Sequence, residues 1–154
     1  MKRYLEDYAV GEVFTTPART VTEADIHTFA GLTGDWHPLH TDTEYAGKSV
    51  FGERIAHGFL VLSIGSALIF RLGQHVGLPE SFIAFYGLDG LRFTAPVKIG
   101  DTIHLEWTIA RLEPRDETTG LVTAGSRIIN QRGETCCVYE VTIACGRRPG
   151  GAAP

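Results

Sequence analysis

The sequence predicts an α+β domain in which an antiparallel sheet packs against one apolar helix. Two observations carry this prediction. A dozen mostly apolar residues run from Phe59 to Phe70, and they precede a series of strand-like stretches separated by turn residues. Residues 104–111 alternate between apolar and polar side chains with period two, as a half-buried strand does. Because no repeat or linker interrupts the pattern, we expect a single domain over residues 1–146.

Two short helices are predicted in the N-terminal half. Thr22 is a suitable N-cap, and Asp25 follows three residues later as its capping-box partner. This helix is expected to end near Gly31. The second short helix is predicted from Thr43 to Ala46.

The apolar run predicts a buried central helix, because it is apolar on nearly every face. At about 1.5 Å per residue it extends roughly 18–20 Å, which crosses the core of a small domain but not a bilayer. Its start is expected near His57 and Gly58. The unpaired N–H groups of a helix start favour a developing oxyanion, and Gly58 lets a ligand approach the main chain.

Five strands are predicted after this helix. Their boundaries are Phe82 to Leu88, Leu91 to Pro96, Thr102 to Leu112, Gly120 to Asn130 and Thr135 to Ala144. Residues 114–120 and 130–133 contain the turn formers that indicate hairpin connections between the last three.

Composition narrows the class of protein. The chain has 154 residues, of which 44% are hydrophobic and 21% charged, as is ordinary for one globular domain. A net charge of −4, with no cationic run beyond Arg147-Arg148, argues against a nucleic-acid partner.

The N-terminus shows neither a signal peptide nor a transmembrane run, so we expect a cytoplasmic protein without a membrane partner. Residues 147–154 lack an apolar period and predict a flexible tail. Three cysteines without disulfide or zinc spacing are expected to be reduced: Cys136, Cys137 and Cys145.

Residues 33–40, Thr-Gly-Asp-Trp-His-Pro-Leu-His, contain the candidate catalytic pair, Asp35 and His40. Pro38 fixes its own φ and pushes His37 toward extended geometry. We therefore expect Asp35 and His40 to converge from a stiffened loop, not from the face of a helix. An imidazole can take a proton from water while a carboxylate holds that water and shifts the imidazole pKa. An Asx-turn at Asp35 accounts for the same residue types.

Three segments resemble the MaoC-like dehydratases and (R)-specific enoyl-CoA hydratases, which have the hotdog fold. They are residues 29–46, residues 55–58 (Ile-Ala-His-Gly) and residues 91–101 (Leu-Arg-Phe-Thr-Ala-Pro-Val-Lys-Ile-Gly-Asp). The resemblance covers the chain from about Thr22 to Ala144. It implies an antiparallel sheet wrapped around the central helix and an acyl-CoA substrate near a subunit interface. A homodimer or higher oligomer is expected, because a dimer satisfies an open edge strand. Coenzyme A is part of the substrate, and no separate cofactor is expected.

By position, the resemblance assigns a role to each candidate. The catalytic Asp and His of the family correspond to Asp35 and His40, and its backbone donor to the thioester carbonyl corresponds to Gly58. Ser66 matches a serine near the catalytic water, and His57 is placed with Gly58 and Ser66 at the substrate. The implied reaction is reversible addition of water to a trans-2-enoyl-CoA, giving a (3R)-hydroxyacyl-CoA.

The sequence departs from the family at His37, where Asn is usual before Pro-Leu-His. An imidazole replaces one hydrogen bond of an amide, but not a donor and an acceptor in the same geometry. Loop detail and pH dependence are therefore open to change at this position.

Three alternatives stand beside the hydratase. A hotdog thioesterase also binds acyl-CoA, and a non-catalytic acyl-CoA-binding subunit or sensor binds it without turnover. A Zn²⁺ or Fe²⁺ site built from Asp35, His37, His40 and His57 is conceivable, but Pro38 and the family resemblance argue against it, so no metal is expected. The remaining histidines are interpreted as surface or structural residues: His27, His75 and His104.

Several further residues allow two interpretations. Six aromatic residues either line a pocket or fill the core, and the core is favoured for most: Phe51, Phe59, Phe70, Phe82, Phe85 and Tyr86. Small residues on the central helix leave room for an acyl chain or serve close helix–sheet packing: Gly65, Ser66 and Ala67. Five cations are candidates for CoA phosphates, although solvated surface charge is the commoner role: Lys48, Arg54, Arg71, Arg92 and Lys98.

Overall fold

The computed structural model describes residues 2–73 and 76–150. Its helices are α1 (Glu23–Thr33), α2 (Pro38–Thr41), α3 (Thr43–Gly47) and α4 (Gly58–Ala67), with single 3-10 segments at Leu5–Asp7 and Leu68–Gly73. Its strands are β1 (Val13–Thr15), β2 (Arg19–Thr20), β3 (Phe82–Phe93), β4 (Thr102–Pro114), β5 (Thr119–Asn130) and β6 (Thr135–Gly146). The predicted α+β class is confirmed.

The six strands form one antiparallel sheet in the order β1-β4-β5-β6-β3, and β2 pairs with β4 next to β1. Strands β4, β5 and β6 follow one another through tight turns, so both predicted hairpin connections are confirmed. Strand β3 pairs only with β6 among the described residues and lies at one edge of the sheet.

One face of the sheet packs against α4 to form the core. Along β4 the side chains of Ile103, Leu105, Trp107 and Ile109 are buried, and the residues between them are partly exposed. This confirms the predicted alternation as far as Ile109, after which a bulge shifts the register. From α4, the core receives Leu60, Val61, Leu62 and Ile64.

Helix α1 begins where the capping residues predict and ends later than expected. The Thr22 hydroxyl accepts the Asp25 N–H, and the Asp25 carboxylate accepts the Thr22 N–H at 2.8 Å, so the capping box is confirmed. The helix continues past Gly31 to Thr33. Gly34 ends it because this residue takes the left-handed conformation, with φ of 79°, and its N–H donates to the Ala30 carbonyl at 2.8 Å.

The two strands predicted over residues 82–96 are one strand. One strand was expected to end at Leu88 and the next to begin at Leu91, but β3 runs through residues 89–90 with a register shift between Asp89 and Arg92, where Gly90 adopts φ of 62°. An irregularity inside one strand thus resembles a turn in the sequence. Strands β1 and β2 were not predicted, since two or three residues are too few to show a period.

The prediction that α4 is buried on nearly every face is wrong for one face. Phe59, Ser63 and Ala67 recur at four-residue spacing and are exposed, with Phe59 64% accessible. No helix among the described residues is long and apolar enough to cross a membrane.

Most of the aromatic residues assigned to the core are also exposed in this chain. Phe59, Phe70, Phe85 and Tyr86 are all more than two-fifths accessible, whereas Phe82 packs against the core. The exposed members of β3 also include Ile83, Leu88 and Phe93. An apolar surface therefore extends along the edge strand.

The start of the segment predicted to be flexible is anchored to the N-terminal region. The Arg147 side chain is buried, and its Nε lies 3.0 Å from Glu6 Oε1. Arg148 forms an ion pair with Asp7, and its N–H donates to Glu6 at 2.9 Å. The prediction of a flexible tail from residue 147 onward is therefore wrong for these two residues. Residues 151–154 lie outside the described residues.

The three cysteines are buried and unbridged on β6, which confirms that they are strand residues. Burial raises the pKa of the Cys137 and Cys145 thiols to about 11. Such thiols are protonated at neutral pH and unreactive.

Asp101, the last residue of the third family-like segment, has a structural role. Its carboxylate accepts hydrogen bonds from Arg132 at 2.6 and 3.0 Å, from Gln131 at 2.7 Å and from the Lys98 N–H at 2.9 Å. Burial alone raises the pKa of Asp101, but these donors outweigh it and lower the pKa to about 2. The carboxylate therefore joins the start of β4 to the β5–β6 turn.

Candidate active site

Asp35 stands in the short loop between α1 and α2. Gly34 turns the chain out of α1, and the exposed Asp35 side chain follows directly. Its Oδ1 accepts the His37 N–H at 3.3 Å, which is the hydrogen bond of an Asx-turn. The second carboxylate oxygen is left to bind another group, so the turn role and a catalytic role are compatible.

His40 lies on a helix, which corrects the expectation of a loop. Pro38 is the first residue of α2, a position where its missing N–H leaves no bond unmade and its fixed φ suits the helix. His37 caps this helix, because its Nδ1 accepts the Leu39 N–H at 3.1 Å. The His37 imidazole therefore serves as an acceptor, one of the two capacities of the Asn that is usual in the family.

The environment of His40 fixes which nitrogen holds its proton. Nδ1 lies 2.8 Å from the Ile55 carbonyl oxygen, and a carbonyl can only accept, so Nδ1 donates and the lone pair of the neutral ring is on Nε2. Burial lowers the pKa of His40 below 6.5, and the neighbouring His57 and His37 lower it further. The Ile55 carbonyl and the Asp35 charge oppose this shift in part. At neutral pH the ring is therefore uncharged and able to accept a proton.

His57 is buried beneath the pair, with 2% of its surface accessible. Its Nε2 lies 3.0 Å from the main-chain oxygen of Asp35, and its ring stacks on the His40 ring with centroids 3.9 Å apart. Phe29 covers the ring from another side at 5.0 Å. The sequence placed His57 at the substrate; the structure places its side chain in the interior.

A cavity of about 260 Å³ opens beside His40 and Gly58. Gly58 is the first residue of α4, and no group in the described part of the chain accepts its N–H. A Cβ at this position would lie 2.9 Å from the Phe93 ring, so a larger residue would displace that ring. The other walls of the cavity include Phe51, Val61, Phe93, Pro96 and Cys136. His40 and an unpaired main-chain donor thus line the same pocket.

Ser66 is not brought to this cavity within one chain. Its hydroxyl lies 3.1 Å from the Tyr139 hydroxyl, and it lines a separate cavity of about 360 Å³ with Phe85, Tyr86, Leu88 and Val141. Gly65, one residue earlier, packs directly against Ile128. Close helix–sheet packing therefore explains Gly65, and the acyl-chain interpretation is left for Ser66.

One ligand atom each from Asp35, His40 and His57 lies within 4.8 Å of the other two, so these are the residues that a metal ion would use. The arrangement fits a metal poorly. The two imidazole planes are within 30° of parallel and stacked, and stacked rings direct their lone pairs side by side, not toward one point. His37 is held as the cap of α2 and belongs to no such cluster among the described residues.

Sequence reasoning missed Phe93 and Cys136 as pocket residues. Phe93 belongs to the Leu-Arg-Phe-Thr-Ala-Pro segment, whose resemblance to the family was the available signal. Cys136 had none, since an alternating strand residue is not distinguishable from a core residue by sequence.

The remaining candidates have local roles. Arg54 pairs with Glu23 through two 2.7 Å hydrogen bonds, and Lys98 pairs with Glu53, so surface ion pairing describes these two cations. His27 contacts Glu23 on the exposed side of α1. His75 lies outside the described residues.

The described architecture is shared with solved structures. A protein of Mycobacterium tuberculosis described as having a double hotdog fold superposes with a TM-score of 0.81, at 19% identity over 99% of this chain and 47% of that one. This likeness shows the fold alone, and the predicted hotdog fold is confirmed. The monoamine oxidase regulatory protein of Archaeoglobus fulgius superposes with a TM-score of 0.88, at 40% identity over 96% of this chain and 97% of that one.

Sequence comparison identifies the family. A model described as the MaoC like domain matches residues 7–131. Protein MaoC of Klebsiella aerogenes is 42% identical over 110 residues, which are 71% of this chain but only 31% of that protein. The (R)-specific enoyl-CoA hydratase of Rhodospirillum rubrum is 40% identical over 111 residues, 72% of each chain. The chain belongs to the MaoC-like domain family, whose members include hydratases and dehydratases.

Proposed function

We propose that this protein adds water reversibly to a trans-2-enoyl-CoA and forms a (3R)-hydroxyacyl-CoA. One observation supports the proposal most directly: the neutral imidazole of His40 and the unpaired N–H of Gly58 line one cavity, and the Asp35 carboxylate lies within 4.8 Å of the His40 ring. The name of the Rhodospirillum rubrum relative supplies the substrate class and the R configuration.

The spacing of Asp35 and His40 suits a bridging water. Two hydrogen bonds of about 2.8 Å to one water separate the two protein atoms by about 4.5 Å. One carboxylate oxygen of Asp35 and one ring nitrogen of His40 lie within 4.8 Å of each other, which is compatible with such a water. His40 Nε2 is the free acceptor, since Nδ1 donates to Ile55.

The steps follow from where charge develops. The oxygen of the water bonds to C3 of the enoyl group as its proton passes to the Asp35/His40 pair, and the C2–C3 π electrons move toward the thioester carbonyl. The Gly58 N–H stabilises the resulting enolate oxygen, and such a donor contributes about 2.7–4 kcal/mol to barrier lowering. A proton returned to C2 completes the addition. Dehydration is the reverse sequence.

The same reasoning gives the other expectations of this proposal. Coenzyme A enters as part of the substrate, and the chemistry needs neither a metal nor another cofactor.

We also infer a homodimer, because β3 is an edge strand with exposed apolar side chains on it. A second copy covering this edge also lies close to Ser66, since the Ser66 cavity is walled by residues of β3.

A second candidate is a non-catalytic acyl-CoA-binding subunit. The observation that favours it is the description of the Archaeoglobus fulgius structure as a regulatory protein. A hotdog thioesterase is the third outcome, in which the thioester itself is cleaved.

The test follows the absorbance of the conjugated enoyl thioester with crotonyl-CoA, together with a thiol assay. We expect the wild type to consume the conjugated thioester without releasing thiol. Asp35→Asn and His40→Ala should each lower kcat/KM by about 10²–10⁴-fold, the usual contribution of acid–base catalysis. His104→Ala, on the outward side of β4, is the matched control. Thiol release identifies a thioesterase, and binding of crotonyl-CoA without turnover identifies the binding subunit; either result contradicts the hydratase.

A further inference from the structure

We propose that His57 is a positioning residue that holds the Asp35 main chain against the start of α4. The role rests on the proposed function, since it concerns the geometry of the same site. It replaces the substrate contact that the sequence assigned to His57.

The His57 side chain makes one hydrogen bond among the described residues, to the main-chain oxygen of Asp35. A carbonyl oxygen can only accept, so the 3.0 Å contact with Asp35 means that His57 Nε2 carries the hydrogen and donates it. Nδ1 is buried without a partner among the described residues. A ring with one buried nitrogen unpaired is a poor core residue, because phenylalanine fills the same space without that penalty. The hydrogen bond to Asp35 is therefore the feature that requires histidine.

This bond joins the three parts of the site. His57 is the N-cap residue of α4 and immediately precedes Gly58, the proposed oxyanion donor. Its ring stacks on His40, and its N–H holds the loop residue that carries the carboxylate. The buried His57 side chain thus contacts His40 and the Asp35 main chain, and its own main chain leads directly into Gly58. His57 itself does not line the cavity, although Ala56 and Gly58 on either side do.

The consequence concerns kcat more than substrate affinity. Without the N–H, the Asp35 loop loses its tie to α4 while the cavity walls stay in place. Misplacing a catalytic group by about 1 Å lowers the rate by about 100-fold. If His57 only filled the interior, its replacement would instead lower the free energy of unfolding, and kcat would not be affected more than substrate affinity.

The experiment compares His57→Phe, which keeps a ring without a donor, with His57→Gln, which keeps an N–H donor without the ring. His104→Phe on the outer face of the sheet is the matched control. We expect His57→Phe to lower kcat for crotonyl-CoA by about 10- to 100-fold. Its melting temperature should stay close to the wild type, and its affinity for butyryl-CoA, which cannot be hydrated, should change less than threefold. His57→Gln should recover most of the lost rate.

Coupling to Asp35 gives a second measurement. If His57 acts through Asp35, then His57→Phe adds little to the loss already caused by Asp35→Asn, because the two residues work as a unit. Full additivity of the two losses would overturn the proposal. It is also overturned if Gln is no better than Phe, or if the main effect is lost butyryl-CoA affinity or lost stability.

A spectroscopic measurement is independent of turnover. The ¹⁵N spectrum of the imidazoles should show His57 protonated on Nε2, and the opposite tautomer would refute the hydrogen bond to Asp35. A wild type that gives this tautomer but no hydration of crotonyl-CoA would reject the proposed function and not the contact.

Discussion

His40 is suited to proton transfer because its second nitrogen is already occupied. The Ile55 carbonyl binds Nδ1–H and so fixes both the tautomer and the ring orientation. Burial and the two neighbouring imidazoles favour the neutral ring, and Asp35 limits the shift by favouring the charged one. The carboxylate thus has an electrostatic effect on His40 as well as a place at the proposed water.

The pH dependence of hydration follows from this balance. Because the pKa of His40 is lowered below 6.5, the ring is protonated only in more acidic solution, where it can no longer accept a proton. We expect kcat/KM for crotonyl-CoA hydration to fall with decreasing pH through a midpoint below 6.5 and to be level above it. A pH–rate profile measures the midpoint. In Asp35→Asn, an NMR titration of His40 should give a still lower pKa, because the opposing charge is gone; a midpoint above 6.5 in the wild type would contradict the assignment.

The proximity of Asp35 and His40 was predictable from sequence, but the contacts of His57 with both residues were not. Asp35 and His40 are recognisable by residue type and by spacing around Pro38. Whether Pro38 blocks a helix or begins one depends on the position it takes, and here it begins α2. The inward direction of His57 has no sequence signal, since a histidine beside Gly58 is equally compatible with a pocket wall.

At the scale of elements, α4 packs closely against the sheet because residue 65 has no side chain. A Cβ at Gly65 would lie 2.3 Å from Cδ1 and 2.7 Å from Cγ1 of Ile128, which is itself fully buried. The helix can approach β5 this closely only because position 65 is glycine. The helix start at Gly58 is brought near Phe93 by a second contact of the same kind.

Gly65→Ala tests this close approach. We expect it to lower the free energy of unfolding by about 1–3 kcal/mol, the usual effect of overpacking a core, although alanine is the better helix former. Gly47→Ala is the control, since a Cβ at the end of α3 meets nothing within 4 Å. Urea unfolding measures both. Ile128→Val should recover part of the loss in the Gly65→Ala background; equal stability of Gly65→Ala and the wild type would show that the contact is not limiting.

The elements that sequence reasoning misjudged share one cause. Their residue patterns depend on which strands they pair with, and the sequence alone does not show this pairing. Residues 82–96 were predicted as two strands with a break at Asp89 and Gly90, whereas β3 continues through these two residues by pairing with β6. Strand β4 was identified because its own residues alternate with period two.

At the scale of the whole molecule, the edge strand β3 presents a run of exposed apolar side chains. Ile83, Phe85, Tyr86 and Leu88 all lie on β3 and are each about half exposed or more, with Phe59 of α4 also exposed. A long apolar edge strand is a pairing surface. The same feature explains why these aromatic residues, apolar in sequence, are absent from the core of the single chain.

We expect the protein to sediment as a dimer, with twice the 16.8 kDa mass of one chain. Leu88→Glu should shift it toward the monomer, because a buried, unpaired charge at the interface is strongly unfavourable. Val10→Glu is the control, as Val10 is 65% exposed and lies outside β3. Sedimentation velocity distinguishes the species. A wild type that sediments as a monomer would contradict the inference.

The contacts of Glu6 and Asp7 with Arg147 and Arg148 have a topological consequence. They place two stretches from opposite ends of the described chain side by side, with the Arg147 guanidinium also donating to the Asp116 carbonyl at 2.8 Å. Because Glu6 and Arg147 are 141 positions apart in the sequence, this junction closes nearly the whole described chain into one large loop.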